Sequence, residues 1–171
     1  YYRYTPLDEL TSRDPETFAG VAHSHLVLAR TRPPGTANVR VYNPSTESDG
    51  WSNPRTIIQV VTDDMPFLVD SVTGALVQAG IDIHLIIHPQ LVVVRDAVGE
   101  LQSVENRDIT KSFRSGAVGE LAESWMLLSI DREGDEEQLN ITMGSREGDY
   151  AGKPERRTWL VRVHSKPGDD R

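Results

Sequence analysis

Apolar and polar positions alternate along this chain in two periods, and the switch between them marks out the elements. In the region Asp8 to Arg32, Leu10, Phe18, Val21, Ala22, Leu26 and Ala29 recur near a helical spacing, and Asp14-Pro15 supplies a start signal. A helix is expected there, stopped by Pro33-Pro34-Gly35. Asn38 to Tyr42 alternates as a half-buried strand does. Asn43 to Pro54, rich in Ser, Asn, Pro, Asp and Gly, reads as an exposed loop with Trp51 folding back onto the body. Thr56 to Val61 is β-branched and apolar on both faces, which suits a strand in the middle of a sheet. Asp63-Asp64-Met65-Pro66 combines capping carboxylates with a proline suited to a helix's first turn. Leu68, Val69, Val72, Leu76 and Ala79 then trace one helix face, and Gly80 provides a left-handed stop.

Past that helix the period becomes two. Ile81, Ile83, Leu85 and Ile87 fall on one side of a strand, with Asp82, His84, Ile86 and His88 on the other. His88-Pro89-Gln90 reads as a tight reversal into Leu91 to Val94, and Ala97 to Glu100 as a second reversal into Leu101 to Val104. Asn106 to Glu120 is left as a connection before a strand over Ser124 to Ile130. Asp131 to Glu137 is strongly charged, Ile141 to Arg157 has little apolar periodicity and is expected to be poorly ordered, and Thr158 to His164 alternates as a final strand does. A strand, a helix, a second strand and a hairpin make the split strand-helix-strand arrangement of ferredoxin-like domains. The expected class is therefore α+β: an antiparallel sheet with helices on one face, an N-terminal helix and a poorly ordered C-terminal tail. The divisions are residues 1–54, 55–132 and 133–171.

Composition narrows the function classes. The chain's 171 residues suffice for one core but not for a two-domain nucleotide-dependent enzyme. A net charge of −8 with scattered basic residues argues against nucleic acid as partner. No apolar run approaches a membrane span, so a soluble, cytoplasmic protein is expected. The absence of cysteine removes disulfides, thiolate metal sites and Cys nucleophiles. A start at Tyr1 rather than Met reads as a piece of something longer.

Candidate chemistry concentrates at the turn after the middle strand. Helix N–H groups left free there suit an anion such as an amino acid's α-carboxylate, and Asp63 or Asp64 suits its ammonium. The plainer reading of either Asp is a helix cap. His84 and His88 share a strand face, yet no third ligand at fixed spacing accompanies them, so no metal is expected. Trp125 and Met126 read as packing residues. No glycine-rich dinucleotide turn, phosphate loop, serine elbow or zinc helix is present, and Ser71 on its helix lacks a positioned base. No catalytic residue is assigned.

The string Val60-Val61-Thr62-Asp63-Asp64-Met65-Pro66-Phe67-Leu68-Val69-Asp70-Ser71-Val72 closely resembles a signature near the N-terminus of the large bacterial NAD-specific glutamate dehydrogenases. Ile83 to Pro89, Glu123 to Met126, Gly50-Trp51 and Tyr1-Tyr2-Arg3 are similar to further segments of that family in the same order, over roughly Tyr1 to Arg132. The resemblance implies a non-catalytic, ACT-like regulatory segment of an enzyme that converts L-glutamate to 2-oxoglutarate and ammonia with NAD in amino-acid catabolism. It also implies catalytic domains downstream in the same chain, which hold the NAD, a homo-oligomer, and an amino-acid effector at Asp63, Asp64, Met65, Pro66 and Phe67 with His84 nearby. The alternative it carries is a ligand-free module that joins subunits. After Arg132 the chain departs from the long helix the family leads one to expect, which suits a truncated or frame-shifted reading frame.

Overall fold

The computed structural model describes residues 1–3, 5–6, 14–105, 119–132, 140–145 and 159–164. Its first helix, α1, spans Pro15–Leu28, with the Asp14 side chain accepting from the Glu16 N–H and Pro15 at the first position. The expected start signal is the observed one; residues before Asp14 in that expected helix lie outside the described set. Strand β1 is Asn38–Tyr42. The loop that follows holds one short helix, α2 (Thr46–Asp49), and Trp51 does fold back, 4 % exposed, over Gly20. A Cβ on Gly20 would lie 2.6 Å from the Trp51 side chain, so only glycine admits the indole.

Strand β2 (Thr56–Asp63) leads through a four-residue turn into helix α3 (Leu68–Gln78), then β3 (Ile83–Ile87), β4 (Gln90–Arg95), β5 (Leu101–Glu105) and the long β6 (Glu120–Ile130). β6 is the spine of a six-stranded antiparallel sheet. On one side it pairs with β2 in unbroken register from Thr56↔Ile130 to Asp63↔Glu123, and β1 lies beyond β2. On its other side β3 pairs with its C-terminal half and β4 with its N-terminal half, and β5 lies beyond β4. β6 therefore fills the gap between the two strands joined by α3, which is the split arrangement in an α+β, ACT-like sheet.

Two sequence expectations are corrected here. Because β3 and β4 both run antiparallel to β6 and meet it end to end, His88-Pro89-Gln90 is no reversal. Pro89 withdraws one donor from the ladder, but its carbonyl still accepts from the Trp125 N–H at 3.0 Å, so the line is interrupted without turning back. The register also shifts between Ile83 and Leu85. That bulge sends Ile83 to the core under α3 and Leu85 and Ile87 to the opposite core, where strict alternation predicts one face for all three. The second expected reversal is present: Asp96 and Glu100 close the β4–β5 hairpin through the Asp96 N–H to Glu100 carbonyl bond at 3.1 Å.

Neighbouring residues of β2 and β6 feed cores on opposite faces of the sheet. Ile58, Val60, Met126, Leu128 and Ile130 meet Leu68, Val72 and Leu76 of α3. Ile57 and Leu127 meet Val21 of α1 and Trp51, and Val61, Val93 and Trp125 meet Ala29. Both strands are consequently apolar at consecutive positions. β6 starts at Glu120, earlier than the apolar run at Ser124 predicts, because Glu120 to Ser124 pair with β4. Past Arg132, β7 (Asn140–Ser145) and β8 (Trp159–His164) form a separate two-stranded sheet. The final strand is thus present, and its partner is a segment expected to be poorly ordered; strand pairing satisfies a backbone that apolar periodicity alone does not mark. The backbone of β8 runs beside α3. The remainder of the expected tail, and most of the connection after β5, lie outside the described residues. Among the described residues no helix is long and apolar enough to cross a membrane.

Candidate functional site

The end of β2 places two adjacent carboxylates on opposite faces of the sheet. Asp63, across from Glu123 in the ladder, turns toward the α1 side, where its Oδ1 accepts from Arg32 Nη2 at 2.6 Å. Asp64 turns toward the α3 side. Its Oδ1 accepts from Ser124 Oγ at 2.5 Å and Gln90 Nε2 at 2.9 Å, while its backbone N–H donates to the Ala122 carbonyl at 2.9 Å. Ser124 donates to Asp64, so it accepts from His88 Nε2 at 3.0 Å. Burial pushes the His88 imidazole below its ordinary value, with the Asp64 charge pulling the other way. Thr62, across from Ser124 on the same face, is fully buried, and its hydroxyl has no hydrogen-bond partner among the described residues.

The helix start differs from expectation. Neither Asp63 nor Asp64 caps α3, and Pro66 precedes its first turn instead of lying in it. The N-cap is Phe67, at φ 63 and 77 % exposed, and among the described residues no side chain caps the helix. A left-handed phenylalanine is costly by about 1 kcal/mol or more. Here that conformation lets the chain pass from a β2 already hydrogen-bonded through Asp64 into a helix whose Leu68 must face the core. The turn therefore offers free N–H groups with the positive end of the helix dipole, and beside them a carboxylate. Asp64 Oδ2 has no protein donor among the described residues.

Of the residues singled out from sequence, Asp63, Asp64, Met65, Pro66 and Phe67 are contiguous in this turn, but they do not act alike. Asp63 is held by Arg32, Met65 packs partly against the α3-side core, and Pro66 and Phe67 are exposed. His84 is not brought to them. It sits where β3 meets the C-terminal end of β6, bonding Asp131 at 2.6 Å, with Arg55 on the same carboxylate at 3.0 Å. That is roughly 20 Å along β6 from Glu123 at 3.3 Å per residue. The histidine near the turn is His88, and the proline-interrupted line from β3 to β4 is what carries it there. His84 and His88 each bond a different residue, and among the described residues no group of three metal-ligating side chains forms.

The largest feature absent from the sequence reading is a buried charge cluster on the α1 side. Glu123 and Arg32 are fully buried, and Arg95 is nearly so. Glu123 Oε1 accepts from Arg32 Nε at 2.8 Å, Arg32 Nη2 at 2.6 Å and Arg95 Nε at 2.7 Å. Its Oε2 accepts from Arg95 Nη2 and Trp125 Nε1, both at 2.9 Å. The remaining guanidinium donors reach Asp63 and the carbonyls of Thr36 and Gly99. Two cations against two carboxylates leave the cluster neutral. Desolvation raises the Glu123 carboxyl, but the bonds and charges of Arg95, Arg32 and Trp125 outweigh it and hold the group below its usual range. The signal was present in the alternation: Leu121, Glu123 and Trp125 share one strand face, so the glutamate had to enter the core.

The family described as glutamate dehydrogenase, ACT1 domain, matches residues 1–142. The chain belongs to this ACT1 domain family. It is 33% identical over 139 residues to an NAD-specific glutamate dehydrogenase of Halomonas elongata, covering 81% of this chain and 8% of the relative. It is 36% identical over 132 residues to the NAD-specific glutamate dehydrogenase of Pseudomonas aeruginosa, covering 77% of this chain and 8% of that relative. The ACT1 chain thus spans about a twelfth of the length of the curated relatives it matches. No solved structure matches it. The relatives' names imply NAD, and the β2–α3 turn of this ACT1 domain does not have the makeup of a dinucleotide turn. Where a pyrophosphate needs glycine amides at a strand-to-helix turn, this one runs Asp64-Met65-Pro66-Phe67, without a glycine.

Proposed function

We propose that this ACT1 domain is an amino-acid-sensing regulatory segment of a much longer NAD-dependent glutamate dehydrogenase, which converts L-glutamate to 2-oxoglutarate and ammonia. The NAD and the reaction belong to other parts of that longer chain. The observation that carries the proposal is the β2–α3 turn: uncapped amides of α3 beside Asp64, a carboxylate with one oxygen open. An amino acid's α-carboxylate fits the amides and its ammonium fits Asp64, whereas Asp63 is engaged by Arg32. Binding there regulates the enzyme by favouring one arrangement of its subunits through differential contacts.

Calorimetry of the 171-residue chain against glutamate, aspartate and arginine tests this. At least one is expected to bind with millimolar or tighter affinity, and Asp64→Ala to weaken it by about tenfold to a hundredfold, the worth of one charge-assisted bond. Circular dichroism should be unchanged in that variant. Failure of all three to bind defeats the reading. It would leave the alternative, a module that joins subunits, which the sheet's outer strand favours: among the described residues β5 has one strand neighbour, and Val104 on it is 42 % exposed.

A further inference from the structure

The polar cluster beneath the start of α3 contains an imidazole, that of His88, and nothing in the amino-acid-sensing role requires it. We propose that His88 acts as a proton-operated gate on ligand binding at the β2–α3 turn, acting through Ser124 and Asp64. This inference rests on the reading of that turn as an amino-acid site.

The geometry is a relay. His88 Nε2–H donates to Ser124 Oγ, and the Ser124 hydroxyl donates to Asp64 Oδ1, so the imidazole and the carboxylate are two hydrogen bonds apart. Neutral His88 already supplies the donor that Ser124 needs, and the other ring nitrogen is the one that takes up a proton. Once charged, the ring competes with the ligand's ammonium for the same carboxylate. Ser124 is fully buried and holds both partners, so the ring cannot move aside without breaking the relay.

Among the described residues few other charges bear on this imidazole. From the turn it faces Asp64; β4 offers the neutral Gln90, β6 the neutral Ser124, and β2 the neutral Thr62. Glu123, Arg32, Arg95 and Asp63 are tied together on the opposite face of the sheet. Asp70 in the first turn of α3 is exposed. The Asp64 carboxylate is thus the charge through which His88 acts. Burial favours the neutral ring, so the gate is open at neutral pH and closes on acidification below the ordinary histidine value of 6.5. Reciprocally, a bound ammonium makes His88 harder to protonate.

The test uses the 171-residue chain with whichever of glutamate, aspartate and arginine binds at pH 7.5. Affinity is expected to fall by about fivefold or more between pH 7.5 and 5.5, the effect of one unit charge at this separation in a solvated site. His88→Gln, which keeps a donor for Ser124 but cannot titrate, is expected to bind at pH 7.5 and to lose that dependence. Should the variant fail to fold, the assigned His88 ring resonances of the unaltered chain give the same answer, their titration midpoint moving down when ligand saturates the site. Equal pH dependence in both proteins, or an unmoved His88 midpoint, overturns the gate and leaves the binding site standing. Absence of binding at pH 7.5 overturns the site itself, and the gate with it.

Discussion

Glu123 accepts five hydrogen bonds from three side chains without contact with water, and that concentration sets what its substitution does. Glu123→Gln keeps the shape but leaves Arg32 and Arg95 buried with only Asp63 to balance them. Breaking a buried ion pair from one side costs about 3–5 kcal/mol, so the urea midpoint of this variant should drop by that amount divided by the slope. An unchanged midpoint would mean that the cluster contributes nothing net. His25 shows the complementary case of a group buried neutral. Tyr1 Oη bonds its Nδ1 at 2.6 Å, and its Nε2 lies 3.2 Å from the Val60 carbonyl. Burial pushes the imidazole down to about 4, against a weaker upward pull from the Val60 bond. The folded state therefore binds fewer protons than the unfolded one below pH 6.5, and stability is lost as pH falls from there toward 4, by roughly 3 kcal/mol from this residue. Glu123 acts in the same direction at lower pH, because its depressed folded value makes its stabilisation disappear as acid protonates it. Urea unfolding between pH 4 and 7 should show stability rising throughout, with a flatter slope in His25→Gln.

Elements whose boundaries depend on local chemistry were readable from sequence. Asp14-Pro15 starts α1, Gly80 at φ 76 ends α3, and the β-branched run of β2 is an interior strand. Three features escaped because a distant partner decides them. His88-Pro89-Gln90 has turn chemistry, but β6 is long enough to pair with both β3 and β4, so the chain continues straight. The bulge at His84 exchanges faces in a run that looks evenly alternating. Asp63 and Asp64 resemble caps, and contacts from Arg32, Gln90 and Ser124 take both away from the helix. The join between α1 and the β4–β5 hairpin is equally non-local. The Arg32 N–H donates to the Gly99 carbonyl at 2.9 Å, and a Cβ on Gly99 would lie 2.1 Å from the Arg32 carbonyl oxygen at a φ of 90. Gly99→Ala should therefore destabilise the fold by about 1–3 kcal/mol through both strain and displacement of the Arg32 segment. A thermal midpoint equal to that of the unaltered chain would show that the segment is free to retreat.

At the scale of the whole molecule, one strand of eleven residues organises two cores and places the site. β6 contributes Met126, Leu128 and Ile130 to the α3 side, Leu127 and Trp125 to the α1 side, Glu123 to the buried charges and Ser124 to the turn. A ligand bound at the turn stabilises this assembly by mass action. At a hundred times its dissociation constant it adds about 2.7 kcal/mol, which for a chain of this size raises the thermal midpoint by about 5–10 °C. Asp64→Ala should abolish that rise, and a rise that persists would place the ligand elsewhere. The α+β class, the interior position of β2 and the Leu68, Val72 and Leu76 face of α3 were determined by sequence, because propensity and alternation act within a few residues. Tertiary structure alone decided that Asp63 and Asp64 part to opposite faces, that His88 and not His84 reaches the turn, and that Arg32, Arg95 and Glu123 meet. Those outcomes depend on register between strands tens of residues apart, and a one-residue change of register reverses which face every side chain takes.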